Sequence, residues 1–486
     1  MPDEGPEARD RFELPRRVAG RAGSGADRVL DEAQARVFRV LWLFLPEPAI
    51  ARNLQFQHLL ASRFLSDAGQ QGLLFGSLVS VTRQGGSALE GALVGVAALL
   101  PPAMFGLYGG MVSDALPKRW GLAGAYALQA ILCFVAPSVP GSDLVVIVVL
   151  IFAVNALGQV SGPTESSVLP LVATEEELAS AASMINLASA VGAAFGTAVL
   201  APVLVRAFGV DLVLYASGLM LLLAASRVFD LPVGESSRRV RLPRLQTRFR
   251  PAVRWLARHP AVATMIFLAV LAGTVNTVLQ TLAPRYVDEV LGADAADAAY
   301  VFAPSALGIV IGLVAAPGLM SRHGERRAAI GGLLVAAVSL CLLGAVGDVA
   351  RVIDDVNPLH ATGLVGIDLN AKLRTAGVLA LPLAFGVSLT ATSVQTYINR
   401  RVPLSYQGRT FAMQSALRNG AAIAPLVVIG ALASEFGAEN VLLVSPLFLV
   451  AAGYGLAYLS FQFAGVEGPR RLEVLGSYWE EPEAGT

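Results

Sequence analysis

The stretch "GGMVSDALPKRW", Gly109–Trp120, places one acid and two bases between two runs of about twenty nearly uncharged residues. A second stretch, "GLMSRHGERR" at Gly318–Arg327, repeats this arrangement far downstream. Asp114 and Arg322 each follow a glycine by four residues and each precede a basic pair. The spacing between the two copies is 208 residues (322 − 114), so the sequence indicates an internal repeat.

The composition predicts that lipid surrounds most of the chain. Of its 486 residues, 55% are hydrophobic and 15% are charged, and the mean hydropathy is +0.62, whereas soluble proteins have about a quarter of their residues charged. The net charge of zero provides no field that would attract nucleic acid. Two cysteines, both within apolar runs, exclude a disulfide framework and a thiolate zinc site.

Twelve apolar runs are long enough to cross a bilayer, because a helix needs roughly 20 residues to span a hydrocarbon core of about 30 Å. They fall into two groups of six, separated by a polar stretch. The predicted spans are 57–80, 88–108, 121–139, 143–163, 179–204 and 211–229, followed by 261–283, 299–320, 328–347, 376–397, 411–433 and 440–463.

The distribution of Lys and Arg predicts the orientation, since cytoplasmic loops carry an excess of positive charge. With the N-terminus inside, cytoplasmic segments hold 27 of the 36 basic residues and the outer loops hold six. We therefore expect a multi-pass protein of the plasma membrane with both termini in the cytoplasm.

The remaining segments complete the predicted domain organisation. The stretch before the first span has apolar residues on one helical stripe together with several arginines, which is typical of a helix lying on the inner leaflet. The predicted order is a disordered tail (1–26), an interfacial amphipathic helix (27–53), a six-helix bundle (54–230), a basic connector (231–260), a second six-helix bundle (261–465) with an outside insert (348–375), and a cytoplasmic tail (466–486).

The repeated stretch resembles the signature loop of the major facilitator superfamily, Gly-x-x-x-Asp-x-x-Gly-Arg-Lys/Arg. In this chain Pro117 stands at the loop glycine and Ala115 replaces the usual basic residue after the aspartate. Other stretches are similar to the branch that holds enterobactin-exporter-like and macrolide-efflux-like proteins. They are "LPLVATEEELASAASM" (169–184), "RWLARHP" (254–260) and "NRRVPLSYQGRTFAMQSALRN" (399–419).

The resemblance, which covers about 40–465, implies an all-α membrane protein of 12 transmembrane helices in two pseudo-symmetric six-helix bundles. Such transporters work by alternating access, in which one bundle rocks against the other around a site at the midplane. It also implies a small-molecule substrate and no cofactor.

The resemblance further implies an inner latch, meaning ionic contacts that hold the cytoplasmic ends of the halves together in one state. Asp114 would meet the start of span eleven around Gly408–Phe411, because a helix N-terminus carries about half a positive charge. Arg322 would mirror this at the start of span five. The alternative for the basic pairs is that they only set topology. The latch residues are Gly110, Asp114, Lys118, Arg119, Arg322, Arg326, Arg327, Glu175, Glu176, Glu177 and Arg409.

In this architecture spans one, four, seven and ten line the cavity, and each carries polar residues at helical spacing. The alternative role of each is a hydrogen bond between helices, worth about 0.6–2 kcal/mol. The candidates are Gln70 and Gln71, Asn155 and Gln159, Asn276 and Gln280, and Ser388, Thr392 and Gln395.

Asp67 is the carboxylate placed well inside a predicted cavity span. A charge at that depth costs roughly 2.5–3.5 kcal/mol or more, so such residues are usually functional. We assign Asp67 to proton coupling or to binding of a cationic substrate. The alternative is a static pair with Arg63, four residues earlier on the same helix face. Glu165 is expected to join Lys118 and Arg119.

These observations favour a monomeric secondary transporter that exports an amphipathic or apolar small molecule in exchange for protons. An importer on the same fold and a non-transporting membrane sensor remain alternatives. An enzyme is disfavoured, because the sequence has no HExxH, GxSxG or Walker lysine motif and no zinc-ligand spacing. Gly192-x-x-x-Gly196 faintly resembles an antiporter motif, but close helix packing explains the spacing equally well.

Overall fold

The computed structural model describes residues 53–139, 143–174, 177–229, 259–353, 357, 359, 369–402 and 404–463, and these ranges contain helices and no strand. The predicted segments 1–26 and 466–486 and nearly all of 27–53 and 231–260 lie outside the described residues, as do 13 of the 28 residues of the insert 348–375. Part of the insert is a short helix, Val346–Ile353.

In the described part of the chain, twelve long helices coincide with the twelve predicted spans, which confirms the all-α membrane fold. Ten of these described helices are long and apolar enough to cross a bilayer. The first lies outside that set and carries Arg63, Asp67 and four glutamines, and the last has a shorter apolar stretch, Ala438–Gly453. The helices are α1 Leu54–Arg83, α2 Ala88–Ala115, α3 Lys118–Val135, α4 Asp143–Val172, α5 Leu178–Phe195 with its continuation Gly196–Leu200 and Ala201–Phe208, α6 Val210–Phe229, α7 Pro260–Glu289, α8 Ala298–His323, α9 Glu325–Gly344, α10 Ala371–Arg401, α11 Leu404–Phe436 and α12 Ala438–Phe463.

The helix contacts show two bundles built to the same plan. In the first half, α1 contacts α5 and α6, α4 contacts α2 and α3, and α3 contacts α6. In the second half, α7 contacts α11 and α12, α10 contacts α8 and α9, and α9 contacts α12. Adding six to each helix number of the first set produces the second set, which is the contact pattern of a parallel repeat.

The two signature loops are short turns with different chemistry. Pro117 holds the N-cap position of α3 with φ −57°, a value that its ring imposes, and its missing N–H costs nothing at a helix start. In the second half Gly324 alone separates α8 from α9, with φ +80°. That left-handed backbone conformation favours glycine, because other residues suffer a clash of their Cβ.

Glycines on α5 allow it to lie directly against α1. A Cβ added at Gly192 would lie 2.5 Å from the Phe64 carbonyl oxygen, and one at Gly196 would overlap the Ala68 carbonyl. From Gly196 to Leu200 the helix takes a π-helical turn. The Gly192-x-x-x-Gly196 spacing therefore serves close helix packing, the alternative that the sequence left open.

The halves meet along α2 and α11 and are joined by an outer clasp, defined as the contacts of Arg83, Arg206 and Arg285 across the halves. Arg83 pairs with Asp294 at 2.7 Å, and Arg206 pairs with Asp297. Arg285 donates to the Gly86 carbonyl. These groups lie at the end of the bundles that the charge distribution assigns to the outside.

Burial on α11 changes along one helix face. Leu426 and Ala422 are fully buried, whereas Arg418 and Ser415, one and two turns further towards the helix start, are exposed. These four residues share one helix face. Among the side chains that the structure describes, this face is therefore buried towards the clasp and exposed towards the signature loops.

Candidate functional site

A cavity of about 210 Å³ lies between the two halves and contains three of the predicted cavity residues. Gln71 reaches it from α1, Asn155 from α4 and Gln280 from α7, so both bundles contribute amides to one space. The full lining is Gln71, Leu74, Phe75, Leu78, Gly95, Ala98, Leu99, Pro102, Asn155, Thr197, Thr277, Gln280, Thr281 and Asn419. We call this space the central cavity.

Four polar lining residues were missed by the sequence interpretation: Thr197, Thr277, Thr281 and Asn419. Thr277 and Thr281 are one turn apart on α7, so the helical spacing used for the amides could have identified them. Thr197 and Asn419 lie on α5 and α11, helices that the interpretation had not assigned to the cavity. Nothing in their local sequence distinguishes them from packing residues.

A second, mostly apolar cavity of about 390 Å³ lies within the C-terminal half, between α7, α8, α9, α10, α11 and α12. Its polar wall includes the predicted residues Asn276, Gln280, Ser388 and Thr392. Gln280 lines both cavities, so the two spaces adjoin at its side chain. Together they form an amphipathic space. The amides and hydroxyls of the central cavity, which we call the polar seam, lie between the halves, and hydrocarbon lines most of the second space within the second bundle. We call this second space the apolar cavity.

Several candidate side chains are engaged in hydrogen bonds to their own helices. Asn155 donates to the Ile151 carbonyl at 2.9 Å, and Gln159 donates to the Asn155 carbonyl at 3.1 Å. In each side chain the amide nitrogen makes this bond, so the side-chain oxygen points away from the backbone carbonyl that accepts it. Asn155 is therefore pre-oriented to present an acceptor to the central cavity, whereas Gln159 is not among the residues that line either cavity.

Gln70, Ser388, Thr392 and Gln395 are placed differently. Gln70 donates to Gln129 of α3 at 3.3 Å, which is the helix-to-helix role weighed as the alternative. Ser388 donates to the Ile309 carbonyl of α8 at 3.0 Å, and Thr392 donates to the Ser388 carbonyl at 2.9 Å. Gln395 is exposed and lies one turn beyond Thr392, towards the end with the signature loops. Asn276 on α7 is likewise exposed.

Asp67 belongs to a charged cluster, which we define as Arg63, Asp67 and Glu165. The Arg63 Nε lies 2.8 Å from Asp67 Oδ2, and its Nη1 lies 2.8 Å from Glu165 Oε2. The Arg63 Nη2 also donates to Ser189 of α5 at 3.1 Å, and Tyr126 of α3 donates to Glu165 at 3.5 Å. The guanidinium thus contacts groups of α1, α4 and α5, and Glu165 extends the network to α3.

The expectation that Glu165 joins Lys118 and Arg119 is wrong, because its carboxylate lies with Arg63 and Tyr126. Tyr126 is eight residues after Lys118 on α3, which corresponds to about 12 Å along the helix axis. Glu165 is 2% exposed and lies at the depth of Tyr126, well inside the bundle rather than at its inner rim.

The charged cluster carries one more negative charge than positive when both acids are ionised. The static pair of Asp67 with Arg63 is present, but Glu165 adds a second carboxylate that the single guanidinium does not neutralise. The Glu165 Oε1 atom is buried and has no hydrogen-bond partner among the described residues. A proton bound to the two acids would neutralise the cluster, so the arrangement can hold one proton within the membrane.

The structure describes the side chains of only some of the inner latch residues. The side chains of Asp114 and Arg409, and all of Glu175 and Glu176, lie outside the described part of the chain. Arg322 and Arg327 are exposed. Glu177 accepts from Thr174 at 2.8 Å, a local bond before the start of α5. The cross-half latch therefore stays a prediction.

The basic residues next to the signature loops contact aromatic rings of their own half. Arg119 lies 5.6 Å from the ring centroid of Phe229 at the end of α6. Arg326 is buried, lies 5.4 Å from the Tyr397 ring centroid and donates to the Tyr397 hydroxyl at 3.1 Å. Neighbouring Glu325 pairs with Arg400 at 2.5 Å. These contacts anchor the loops to each bundle, a role beyond setting topology.

Comparisons with known proteins agree with this architecture. Residues 38–426 match the sequence profile of the Major Facilitator Superfamily. No curated protein matches the chain at a significant level of sequence similarity.

Solved structures show the same fold. A point mutant of the nucleoside transporter NupG superimposes with a TM-score of 0.64 at 13% identity, covering 85% of this chain and 100% of NupG. A bacterial homologue of the human lysosomal transporter Spinster, inward-facing and occupied, superimposes with a TM-score of 0.63 at 12% identity, covering 84% of this chain and 96% of the homologue.

Proposed function

This chain belongs to the Major Facilitator Superfamily, and we propose that it is a proton-coupled secondary transporter that exports an amphipathic or apolar small molecule. The observation that carries the proposal is the pair of adjoining cavities. The central cavity is lined from both bundles, and the apolar cavity extends it into the second bundle at Gln280.

The chemistry of the lining supports this substrate class. The apolar cavity is the larger space and can bury hydrocarbon, at about 25 cal/mol for each Å² removed from water. Amides and hydroxyls in the central cavity can orient one polar end of a substrate. A nucleoside, the substrate class in NupG's name, would use the polar seam but leave the apolar cavity unfilled. The geometry therefore favours an amphipathic molecule.

The charged cluster supports proton coupling. Its excess negative charge lies within the first bundle, where a proton both neutralises it and removes the cost of a buried ion. Asp67 is half-buried, and Glu165 is enclosed between α1, α3 and α4. We assign Asp67 as the carboxylate that exchanges protons with the open space, and Glu165 as its partner through Arg63.

The burial pattern of α11 supports alternation between two states. With the outer clasp closed, its contact face is exposed at Arg418 and Ser415, towards the signature loops, as we expect of an inward-facing state in the orientation that the charges predict. The α2–α11 contact is antiparallel, with Gly430 on Ala92, Leu426 on Gly95 and Gly420 near Ala103. This register, continued inwards, brings Asp114 level with Gly408. The inner latch would close along this line in the opposite state.

We place the protein in the plasma membrane as a monomer with cytoplasmic termini. Its finer resemblance to the enterobactin-exporter-like and macrolide-efflux-like branch supports the direction of export.

Transport into inverted membrane vesicles with an imposed pH gradient tests the proposal. A panel of dyes, macrolides, siderophores, lysolipids and uridine is compared in wild type, Asp67→Asn and Asp348→Asn. Asp348 is the matched control, since it is an exposed acid on the outer short helix. We expect proton-dependent accumulation of an amphipathic compound that is lost only in Asp67→Asn.

Each other outcome has a defined meaning. Unchanged accumulation in Asp67→Asn would refute the coupling role. Proton-driven movement in the opposite direction would make the protein an importer. Accumulation of uridine alone would exclude the amphipathic substrate class.

A further inference from the structure

We propose that Arg418 binds a single anionic group on the transported amphipathic molecule, at the inner mouth of the central cavity. This inference rests on the proposed function and narrows its substrate class. Arg418 falls within the predicted span 411–433, and the sequence interpretation did not assign it to the site. The structure shows where Arg418 lies, which residues surround it, and that no acidic side chain among the described residues pairs with it.

Arg418 lies within the membrane-spanning part of α11, in its inner half. It is seven residues from the inner end of the predicted span 411–433, or about 10 Å along the axis. An ionisable residue at that depth marks a substrate or ion pathway by default, and it needs a partner of opposite charge.

Arg418 lies on the face of α11 that is turned towards other helices. Ala422 is one turn away on this face and Leu426 is two turns away, and both are fully buried. Arg418 itself is exposed, as is Ser415 one turn further in. The same face is therefore covered by protein further out and uncovered at Arg418 and Ser415.

The stem of the side chain lies on the cavity-lining face of α7. A Cβ added at Gly273 would lie 2.5 Å from Arg418 Cδ and 2.7 Å from Cγ, so only glycine leaves room for the stem. Thr277, one turn from Gly273, lines the central cavity, and so does Asn419, the next residue on α11. The stem therefore places the guanidinium next to the polar seam.

No acidic group pairs with Arg418 among the side chains that the structure describes. Arg63 differs in this respect, since it contacts two carboxylates at 2.8 Å. The planar guanidinium suits a carboxylate, sulfonate or phosphate monoester, to which it can donate two parallel hydrogen bonds. One unpaired cation next to an apolar cavity fits an amphipath with one negative charge, and does not fit a multiply charged anion.

The test uses the full-length protein in lipid nanodiscs and two fluorescent probes of equal size. One probe is 6-(dansylamino)hexanoate and the other is its uncharged primary amide. We expect wild type to bind the carboxylate at least ten-fold more tightly than the amide. Arg418→Gln should abolish that preference while keeping affinity for the amide, and Arg418→Lys should keep part of it.

Two further variants sharpen the result. Arg351→Gln is the matched control, because Arg351 is an exposed arginine on the outer short helix, and it should keep the full preference. Gly273→Ala should weaken the preference by displacing the stem without removing the charge.

Each outcome decides between the two proposals. Equal binding of both probes by wild type, or an unchanged preference in Arg418→Gln, overturns the anion site and leaves the proposed function standing. Binding of neither probe by wild type overturns the amphipathic substrate class together with the anion site. The wild-type comparison needs no variant, so misfolding of Arg418→Gln cannot obscure it.

Discussion

The two halves share one contact plan but differ in what their interiors hold. The first half contains Arg63 in contact with both Asp67 and Glu165, whereas the second half holds the apolar cavity and Arg418. The glycine positions differ too. Gly192 of α5 lies against the α1 backbone, while in the equivalent helix pair Gly273 of α7 accommodates a side chain of α11.

This difference separates two tasks that a coupled transporter must link. On our assignment the first half binds the proton and the second half binds the anionic end of the substrate. Each half is then electrically neutral in its interior when loaded, and charged when empty. Since an uncompensated charge is costly in the membrane, both bundles favour their loaded forms.

The largest effect should come from removing the cation of the charged cluster. Arg63→Gln leaves two carboxylates without a counter-charge and should lower the free energy of unfolding by about 3–5 kcal/mol, the cost of breaking a buried ion pair. Thermal unfolding in detergent measures it. Arg351→Gln, whose pair with Asp348 is exposed, should change stability by less than about 0.5 kcal/mol. Equal effects of the two changes would contradict a closed network in the first half.

The next effect concerns the glycine contact between α1 and α5. Gly196→Ala forces a Cβ against the Ala68 carbonyl, which is backbone and cannot rotate away. We expect a loss of about 1–3 kcal/mol, typical of overpacking. The control is Gly331→Ala on α9, where an added Cβ meets nothing within 4 Å. A stable Gly196→Ala protein would mean that the first half is packed more loosely than its contacts indicate.

Amide truncations on either side of the seam test whether substrate binding is shared. Asn155→Ala removes a group of the first half and Gln280→Ala one of the second. Each should raise the KM for transport by about 5- to 10-fold, as expected for one lost hydrogen bond of roughly 1–1.5 kcal/mol. The control, Gln84→Ala, removes an amide that bonds Ser80 at the outer end of α1. An effect of Gln280→Ala alone would assign binding to the second half only.

The smallest effect should follow from opening the outer clasp. Arg83→Gln removes a partly exposed pair with Asp294, worth about 0.2–1 kcal/mol. The ratio of inward-open to outward-open protein should fall by at most about five-fold. Alkylation of Ser415→Cys from the inner side, in a Cys341→Ser background, should slow accordingly. Faster alkylation would show that the clasp does not hold the closed outer end.

Much of the fold could be predicted, because a membrane span depends on local composition and length. The apolar runs and the repeated loops were sufficient for twelve helices in two groups. The amides of α1, α4 and α7 were found in the same way, since residues four apart share a helix face. Gln71, Asn155 and Gln280 do line the central cavity.

Other features required the tertiary structure. Glu165 meets Arg63 across 102 positions of sequence, and its depth depends on how α4 lies along α3. Thr197 and Asn419 line the central cavity, and Arg418 precedes Asn419 on α11. Neither α5 nor α11 has an amphipathic pattern that marks its inner face.

The sequence alone therefore determined the number, order and repeat of the helices, because the bilayer thickness selects spans residue by residue. Which side chains face one another was decided by the close packing of helices on small residues such as Gly192 and Gly273. That packing sets the rotation and depth of each helix, and neither quantity can be derived from hydrophobicity along a single chain.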